Sequence, residues 1–454
     1  MVLNLEEFKK FTPKKKTIAV MGKPIHHSLS PILHTEFSKE TGIDFDYIAL
    51  EVSPDEFPAA LKLAKEKLCG FNLTMPLKQT VIPYLDEADK EVTLTQSANT
   101  VVINNGRLHG YTTDGVGLVD ALLLKTETLK NKAVLILGAG GAARSVASAL
   151  VASGVVVSVA VRSEEKGKAF SSILPCNYVL FDDIYDKYDI LINATPVGMN
   201  DDDLPPIDIS KLQRLTLVYD CIYNPPMTKL LRDARDSGIA YDNGLSMLVL
   251  QGAYSEQYWF SADISNAVID SIMRKLRASQ ALARLAEVHG KSNIVLTGFM
   301  GCGKTTIGKM LADAIGFDFV DLDEKIESEQ NMKITEIFSK YGEEFFRKLE
   351  RNACQDCTNL KHTVIATGGG TVIRSDNAEI LKKNSLLIFL NKKLDEIYRN
   401  LEGSTNRPLL MVENVHEHIR SLYEFRQPQY LERSELDVTF PDGAEPVNEI
   451  LLSI

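Results

Sequence analysis

The sequence predicts an α/β protein made of parallel sheets covered by helices and divided into two halves. Three observations predict it. Short apolar runs of strand length alternate with helical patterns along the whole chain. A glycine turn, Gly138-Ala139-Gly140-Gly141-Ala142-Ala143-Arg144, joins the apolar run AVLIL to a helical stretch. A second glycine loop, Gly298-Phe299-Met300-Gly301-Cys302-Gly303-Lys304-Thr305, makes the same passage between NIVLT and TIGKMLADAIG.

Taken in order, the strand candidates of the first half are TIAVMG at 17–22, AVLILG at 133–138, VVVSVAV at 155–161, DILINAT at 189–195 and LTLVYD at 215–220. Serines and Gly154 interrupt the apolar stretch from Val146 to Val161, so it reads as a helix end, a turn and a buried strand. From Ile264 to His289 apolar residues recur at helical spacing, and one helix is expected to carry the first half to a junction near Gly290. Gly290, Lys291 and Ser292 are then a short tether to the second series of strands. That series is NIVLTG at 293–298, TVIATGG at 363–369 and SLLIFL at 385–390.

Composition narrows the function. Residues 1–289 carry 30 Lys and Arg against 35 Asp and Glu, and residues 290–454 carry 20 against 26, for a net charge of −11. Neither half is basic, so no nucleic-acid or anionic-membrane partner is expected, and small molecules are. No apolar run reaches the roughly 18 residues of a membrane span. The opening MVLNLEEFKK lacks the apolar centre of a secretory signal. Six cysteines in 454 residues fit a reducing cytoplasm. Cys354 and Cys357 form a CxxC on a charged helical stretch without a second pair, which reads as ordinary thiols. Oligomerisation is left open.

In the first half, the glycines of 138–144 let the turn tighten and let backbone N–H groups reach a pyrophosphate at a helix N-terminus. At the end of the next strand stand Arg162 and Ser163, a guanidinium and a hydroxyl that suit a 2′-phosphate and favour NADP over NAD. Elsewhere lies a polar constellation that a core would not need: Ser28 and Ser30, Asn72 and Thr74 with Lys78, Asn99 and Thr100, then Thr112-Thr113-Asp114. Ser, Asn and Thr groups can satisfy the hydroxyls of a small polyol acid. Lys78 and Asp114 can form an acid–base pair for hydride transfer to a carbonyl.

These segments resemble shikimate dehydrogenase over nearly all of residues 15–285. The resemblance rests on Gly22 to Pro31, Gly70 to Lys78, Ser97 to Val101, Asn193 to Met199, Asp220 to Tyr223 with Pro225, and Asn243-Gly244 with Met247-Leu248 and Gln251. It implies that Ser28, Ser30, Thr74, Asn99, Tyr223 and Gln251 hold shikimate, with Lys78 and Asp114 catalytic. The NADP set would be Gly138, Gly140, Gly141, Ala142, Arg144, Arg162, Ser163, Thr195, Met199 and Gly244. Two positions depart from the family pattern. Thr112 stands where it has Asn, and Val161 where it has the Asn of an Asn-Arg-Thr. These departures leave a quinate- or NAD-preferring dehydrogenase as an alternative.

In the second half, Gly298 to Thr305 satisfies the full phosphate-loop pattern, in which Lys304 meets the β and γ phosphates and the Thr305 hydroxyl sits on Mg²⁺. Asp321 and Asp323 follow on an expected strand end, where they either serve hydrated Mg²⁺ and an attacking hydroxyl or cap the next helix. Arg347, Arg407 and Arg426 are candidates to clamp carboxylate or phosphate, and Gly368-Gly369-Gly370 lets backbone approach a ligand.

This half resembles shikimate kinase from 293 to about 440. The resemblance implies that Gly301, Cys302, Gly303, Lys304, Thr305, Thr306 and Arg407 hold ATP, Arg407 from a lid at roughly 399–410. Shikimate would lie on Asp323, Arg347, Gly369, Gly370 and Arg426, with Asp323 orienting its 3-hydroxyl. Thr305 and Asp321 would serve the metal, and Lys304, Asp323 and Arg407 would be catalytic. The expected architecture is a substrate lobe of residues 1–115 completed by 245–288, a Rossmann-like NADP lobe of 116–244, and a three-layer α/β/α phosphate-loop kinase domain of 290–454. The chain is therefore expected to be a bifunctional enzyme of aromatic amino-acid biosynthesis, with NADP(H), ATP and Mg²⁺ as cofactors. The first product, shikimate, would be the second substrate. A silent, merely binding half is the other alternative.

Overall fold

The computed structural model describes residues 2–26, 28–200, 202–401, 415–440 and 443–454. The chain forms two compact units, Met1–Leu276 and Arg277–Ile454.

The first unit holds two sheets. One is built from β1 (Val2–Leu3), β2 (Thr17–Gly22), β3 (Asp46–Glu51), β4 (Gly70–Leu73), β5 (Glu87–Ala88), β6 (Thr100–Asn104) and β7 (Arg107–Tyr111) in the order β1-β3-β2-β4-β6-β7-β5. It is mixed, not parallel as expected: β6 runs antiparallel to both β4 and β7. The cause is local. Asn105 and Gly106 both adopt positive φ (51° and 76°), the two-residue turn that closes a hairpin.

The other sheet is parallel throughout. It contains β8 (Ala133–Leu137), β9 (Val156–Val161), β10 (Asn177–Leu180), β11 (Ile190–Asn193), β12 (Leu217–Asp220) and β13 (Ala240–Asn243), in the order β10-β9-β8-β11-β12-β13. The order in which strands are added reverses between β8 and β11, so a crevice opens at their carboxyl ends, where doubly wound folds bind nucleotides. The helices Asp114–Leu123 and Leu245–Phe260 run between the two lobes, Gly117 close against the Gln251 backbone.

The second unit has one parallel sheet of β14 (Asn293–Thr297), β15 (Asp318–Asp321), β16 (Thr363–Ala366), β17 (Ser385–Asn391) and β18 (Leu436–Thr439), ordered β15-β16-β14-β17-β18. Alternate residues of a strand face opposite sides. Val295, Ile365 and Leu387 enter one apolar layer, while Ile294, Leu296, Val364 and Ile388 enter the other. Helices therefore cover both faces, giving three α/β/α layers. The helix Asn266–Glu287 buries Ile272 and Leu276 in the first unit's core and Ala281 and Leu285 in the second's. Leu276/Arg277 is thus where the two units part, within this helix rather than at Gly290.

The helix Gly141–Ala152 approaches the first lobe so closely that a Cβ on Gly115 would stand 2.3 Å from the Ser145 carbonyl oxygen. Gly115→Ala is expected to lower the stability of the chain by about 1–3 kcal/mol, read as a lower urea midpoint at unchanged slope.

Candidate active sites

A buried hydrogen-bonded network floors the first lobe. Lys78 Nζ donates to Asp114 Oδ2 at 2.5 Å, the ammonium still reaching the cleft and the carboxylate almost wholly covered. Asn99 Nδ2 donates to Asp114 Oδ1, Thr113 Oγ1 and Gln251 Oε1 (3.0, 2.8 and 3.0 Å), and Thr113 N donates to Asn99 Oδ1 at 2.7 Å. Asn72 accepts from Tyr47 and donates to the Asn99 carbonyl and Thr100, while Ser255 closes the network against Thr100 at 2.8 Å. Five parts of the chain meet here: β3, the end of β4 and the turn after it, the start of β6, the start of the helix Asp114–Leu123, and the helix Leu245–Phe260.

The other expected acid-binding residues lie around this floor. Ser28 Oγ accepts from Ser30 N in the first turn of the helix Ser30–Thr41. Tyr223 reaches the Leu29 backbone, and burial raises its phenol above the ordinary range. Thr74 follows β4, tight against Gly22. Thr112 faces elsewhere: its hydroxyl is 3.0 Å from Ser145 Oγ on the helix Gly141–Ala152. Ser255 and Tyr47 were not singled out from the sequence. Ser255 was within reach, one helical turn beyond Gln251.

The glycine turn follows β8. Gly138 has φ +101°, and a Cβ there would touch Thr195, which bonds to Asn193 at the end of β11. The helix Gly141–Ala152 starts without a side-chain cap, so its first N–H groups face the crevice. Gly141 lies against Ser97 and near the Lys78 side chain, which brings this turn to the Lys78–Asp114 pair. The Arg144 Nε is buried without a protein partner. Arg162 is exposed after β9, and Ser163 caps the helix Glu164–Ile173. Met199 is exposed in the loop after Thr195, and Gly244 packs on the Cys221 backbone. An open helix start, an orphaned guanidinium nitrogen and an exposed arginine fit a dinucleotide carrying a 2′-phosphate.

Beside Asp220, whose carboxyl burial pushes up to about 6, Asn193 and Thr228 donate at 3.0 and 2.8 Å. This brace behind the 194–199 loop was not foreseen as such.

In the second unit the loop after β14 places Gly301, Cys302 and Gly303 ahead of the helix Lys304–Ile315, which also lacks a side-chain cap; Gly303 takes φ +97°. Lys304 Nζ folds back onto the Gly298 and Phe299 carbonyls at 2.9 and 3.1 Å. Thr305 Oγ1 donates to Asp321 Oδ2 at 2.7 Å, and Thr306 follows in the first turn. Of the two roles the sequence allowed, the structure shows the cap: Asp321 Oδ1 accepts from the first turn of the helix Leu322–Gln330. Asp323 is not on a strand end as expected but in the first turn of that helix. The strand stops at Asp321 because that side chain captures the next N–H groups.

The Gly368–Gly370 turn gathers the rest. Built Cβ atoms would stand 2.8 Å from Asp323 on Gly368, 3.8 Å from Arg426 on Gly369 and 3.0 Å from Arg347 on Gly370. Glu350, buried, holds Arg347 at 3.0 Å with one oxygen and Thr371 at 2.8 Å with the other. Beside the phosphate loop, a cavity of about 500 Å³ is lined by Ile307, Lys392, Glu396, Arg399, Asn400 and Pro446 among the described residues. Asn400 donates to the Gly301 carbonyl at 2.8 Å. Of this wall the sequence had suggested only the start of the expected lid at 399–410; Lys392 and Glu396, four apart at a helix start, were the available signal. Arg407 lies outside the described residues, as does most of the expected lid.

Comparison with known proteins adds three family matches. Models described as shikimate dehydrogenase substrate binding domain, shikimate / quinate 5-dehydrogenase and shikimate kinase match residues 20–101, 121–198 and 300–454. A shikimate dehydrogenase (NADP(+)) of Methanocaldococcus jannaschii is 37% identical over 279 residues, covering 58% of this chain and 99% of the relative. A crystal structure of shikimate dehydrogenase in complex with NADP+ superposes with a TM-score of 0.54 at 36% identity, over 57% of this chain and 95% of that one. One from Thermus thermophilus, in complex with NADP(H) and shikimate, gives 0.54 at 32% identity, over 57% and 99%.

Burial, with the charge of Asp321 added and that of Lys304 opposing, pushes the Asp323 carboxyl up to about 6. A raised carboxyl stabilises the fold fully below its unfolded value and loses that contribution as pH rises through the folded one. Asp323→Asn is therefore expected to melt higher than the parent at pH 8, the difference vanishing toward pH 4. Thermal scans across that range check it.

Proposed function

The chain belongs to the shikimate dehydrogenase family and carries a shikimate kinase domain after it, and we propose that it reduces 3-dehydroshikimate to shikimate with NADPH and then phosphorylates the 3-hydroxyl of shikimate with MgATP. It is an NADP-dependent oxidoreductase and a kinase of the shikimate pathway. The Lys78–Asp114 pair, 2.5 Å apart beside the Gly141 turn, carries the reading. The cytoplasm is its proposed place, in keeping with six free thiols among the described residues. Among those residues no helix is long and apolar enough to cross a membrane.

When bound, NADPH supplies the hydride and MgATP the phosphoryl group. In the first site the neutral donors and acceptors of Ser28, Ser30, Thr74, Asn99, Tyr223 and Gln251 hold the substrate's carboxylate and hydroxyls. Lys78, aimed by Asp114, gives a proton to the carbonyl oxygen as hydride reaches its carbon, and solvent reprotonates the pair. The N–H groups of Gly140, Gly141 and Ala142 with Arg144 would hold the pyrophosphate, and Arg162 and Ser163 would hold the 2′-phosphate. Thr195, Met199 and Gly244 line the nicotinamide end.

In the second site the backbone of Gly301, Cys302 and Gly303 cradles the phosphates, with Thr306 beside them and the base in the cavity lined by Arg399 and Pro446. Lys304 swings from its carbonyl partners onto the β and γ phosphates. Thr305 and Asp321, already bonded to each other, present the oxygens that suit Mg²⁺ and its waters. Arg347, Arg426 and the Gly369-Gly370 backbone hold shikimate so that its 3-hydroxyl meets Asp323, which takes the proton as the phosphoryl group transfers. Most of the rate comes from positioning and charge stabilisation.

Lys78→Ala is expected to lower shikimate oxidation by NADP⁺ about 10²–10⁴-fold and leave shikimate-dependent ADP formation intact. Lys304→Ala is expected to do the reverse. With the parent protein, 3-dehydroshikimate, NADPH and MgATP, mass spectrometry of the products is expected to show shikimate 3-phosphate; shikimate accumulating unphosphorylated would refute the kinase half.

A further inference from the structure

Outside the groups assigned above lies a buried ionisable pair. His34 Nδ1 and Glu256 Oε1 are 2.6 Å apart, and both side chains are 0% exposed. The second atom of each, His34 Nε2 and Glu256 Oε2, has no hydrogen-bond partner among the described residues. Such a pair is an expensive way to join two helices. Replacing a buried ionic pair with apolar side chains of similar volume is often neutral or stabilising, and each orphaned polar atom adds to the cost. Stability alone does not explain it.

Its place in the fold does. His34 lies one turn after Ser30 on the helix Ser30–Thr41, so both share a face. Glu256 lies one turn after Gly252 on the helix Leu245–Phe260, and Gly252 is where the two helices approach. A Cβ there would stand 2.7 Å from Leu33 Cδ2 and 3.6 Å from His34 Cε1. The neighbouring stripe of the same helix carries Gln251 and Ser255, which bond to Asn99, Thr113 and Thr100 in the floor of the acid-binding site. Tyr47 stacks on the His34 ring (centroids 4.2 Å apart, planes at 11°) and donates to Asn72 of the same floor at 2.6 Å. Burial and the nearby Glu256 carboxylate raise the Tyr47 phenol, so it stays a donor.

We propose that His34 and Glu256 are positioning residues for the dehydrogenase substrate: their bond fixes the rotation of the two helices so that Ser28 and Ser30 on one side and Gln251 on the other grip the same acid at once. The assignment rests on the acid-binding reading given above. The helix rotation it sets is a matter of substrate grip: Lys78 stands on another element, and of the proposed cofactor residues only Gly244, the N-cap of Leu245–Phe260 two turns before Gln251, adjoins either helix.

The double variant His34→Phe with Glu256→Leu separates grip from stability, because it removes both polar partners together. Steady-state oxidation of shikimate by NADP⁺ and thermal melting are measured on the full chain. The expected result is a melting temperature at or above that of the parent, a KM for shikimate raised about tenfold, and kcat and the KM for NADP⁺ within about twofold. Glu256→Gln, which keeps a partner for His34, is expected to fall between parent and double variant in KM. If the double variant does not fold, the assignment stands or falls on whether Glu256→Gln raises the shikimate KM alone. A shikimate KM unmoved in the folded variants, or an equal rise for NADP⁺, overturns the assignment. Failure of the parent protein to oxidise shikimate would instead overturn the substrate reading beneath it.

Discussion

Both sites depend on backbone N–H groups left unsatisfied at the start of a helix behind a parallel strand. Several helix starts elsewhere among the described residues are closed by side chains: Asp89, Ser163, Thr228, Asp321 and Glu445 each accept from the first turn. The helices Gly141–Ala152 and Lys304–Ile315 are preceded by glycine and have no such cap. Leaving a cap out costs about 1 kcal/mol of helix stability, and it exposes donors and the positive end of a helix dipole where an anion can recover that cost. Each start lies beside the strand from which the chain winds in both directions, β8 in one sheet and β14 in the other.

The second constraint is polar burial. Asn72, Asn99, Thr100, Thr113, Asp114 and Ser255 are all nearly inaccessible, a grouping that would be ruinous if any of its members lacked partners. Here each bonds to another, so the network is rigid before substrate arrives. Preorganised donors and acceptors need no reorganisation as charge moves in the reaction. The one member left with freedom is Lys78, whose side chain reaches the cleft while its carboxylate partner does not.

What the sequence made legible follows from how local each signal is. Both glycine turns, the strands before them and the helices after them are set by residues within about ten positions, and the structure has them within a residue or two. The Asn105-Gly106 turn was equally local but was not singled out, and with it the antiparallel strands of the first sheet were missed. Asp323 was placed on a strand because alternate spacing with Asp321 fits one; the capping oxygen of Asp321 ended that strand two residues earlier. The His34–Glu256 pair was not legible at all. Its members are 222 positions apart, and either alone reads as a surface helix residue until the close passage at Gly252 brings the helices together.

One acid is proposed to bind both sites, and the two use opposite chemistry to hold it. The first relies on neutral hydroxyls and amides around a single ammonium, and the second on the guanidinium groups of Arg347 and Arg426 beside two carboxylates. The difference follows from where negative charge gathers. In carbonyl reduction it develops on one oxygen and is discharged at once by a proton, so one cation aimed at that oxygen suffices and further positive charge would compete for the substrate's carboxylate. In phosphoryl transfer, charge is spread over several phosphate oxygens while a hydroxyl loses its proton. Fixed guanidiniums must then hold the acid against the repulsion of both Asp323 and the incoming phosphates. Asp323 can take up a proton there because burial, with the charge of the neighbouring N-cap Asp321 added, holds its carboxyl above the usual carboxylate range.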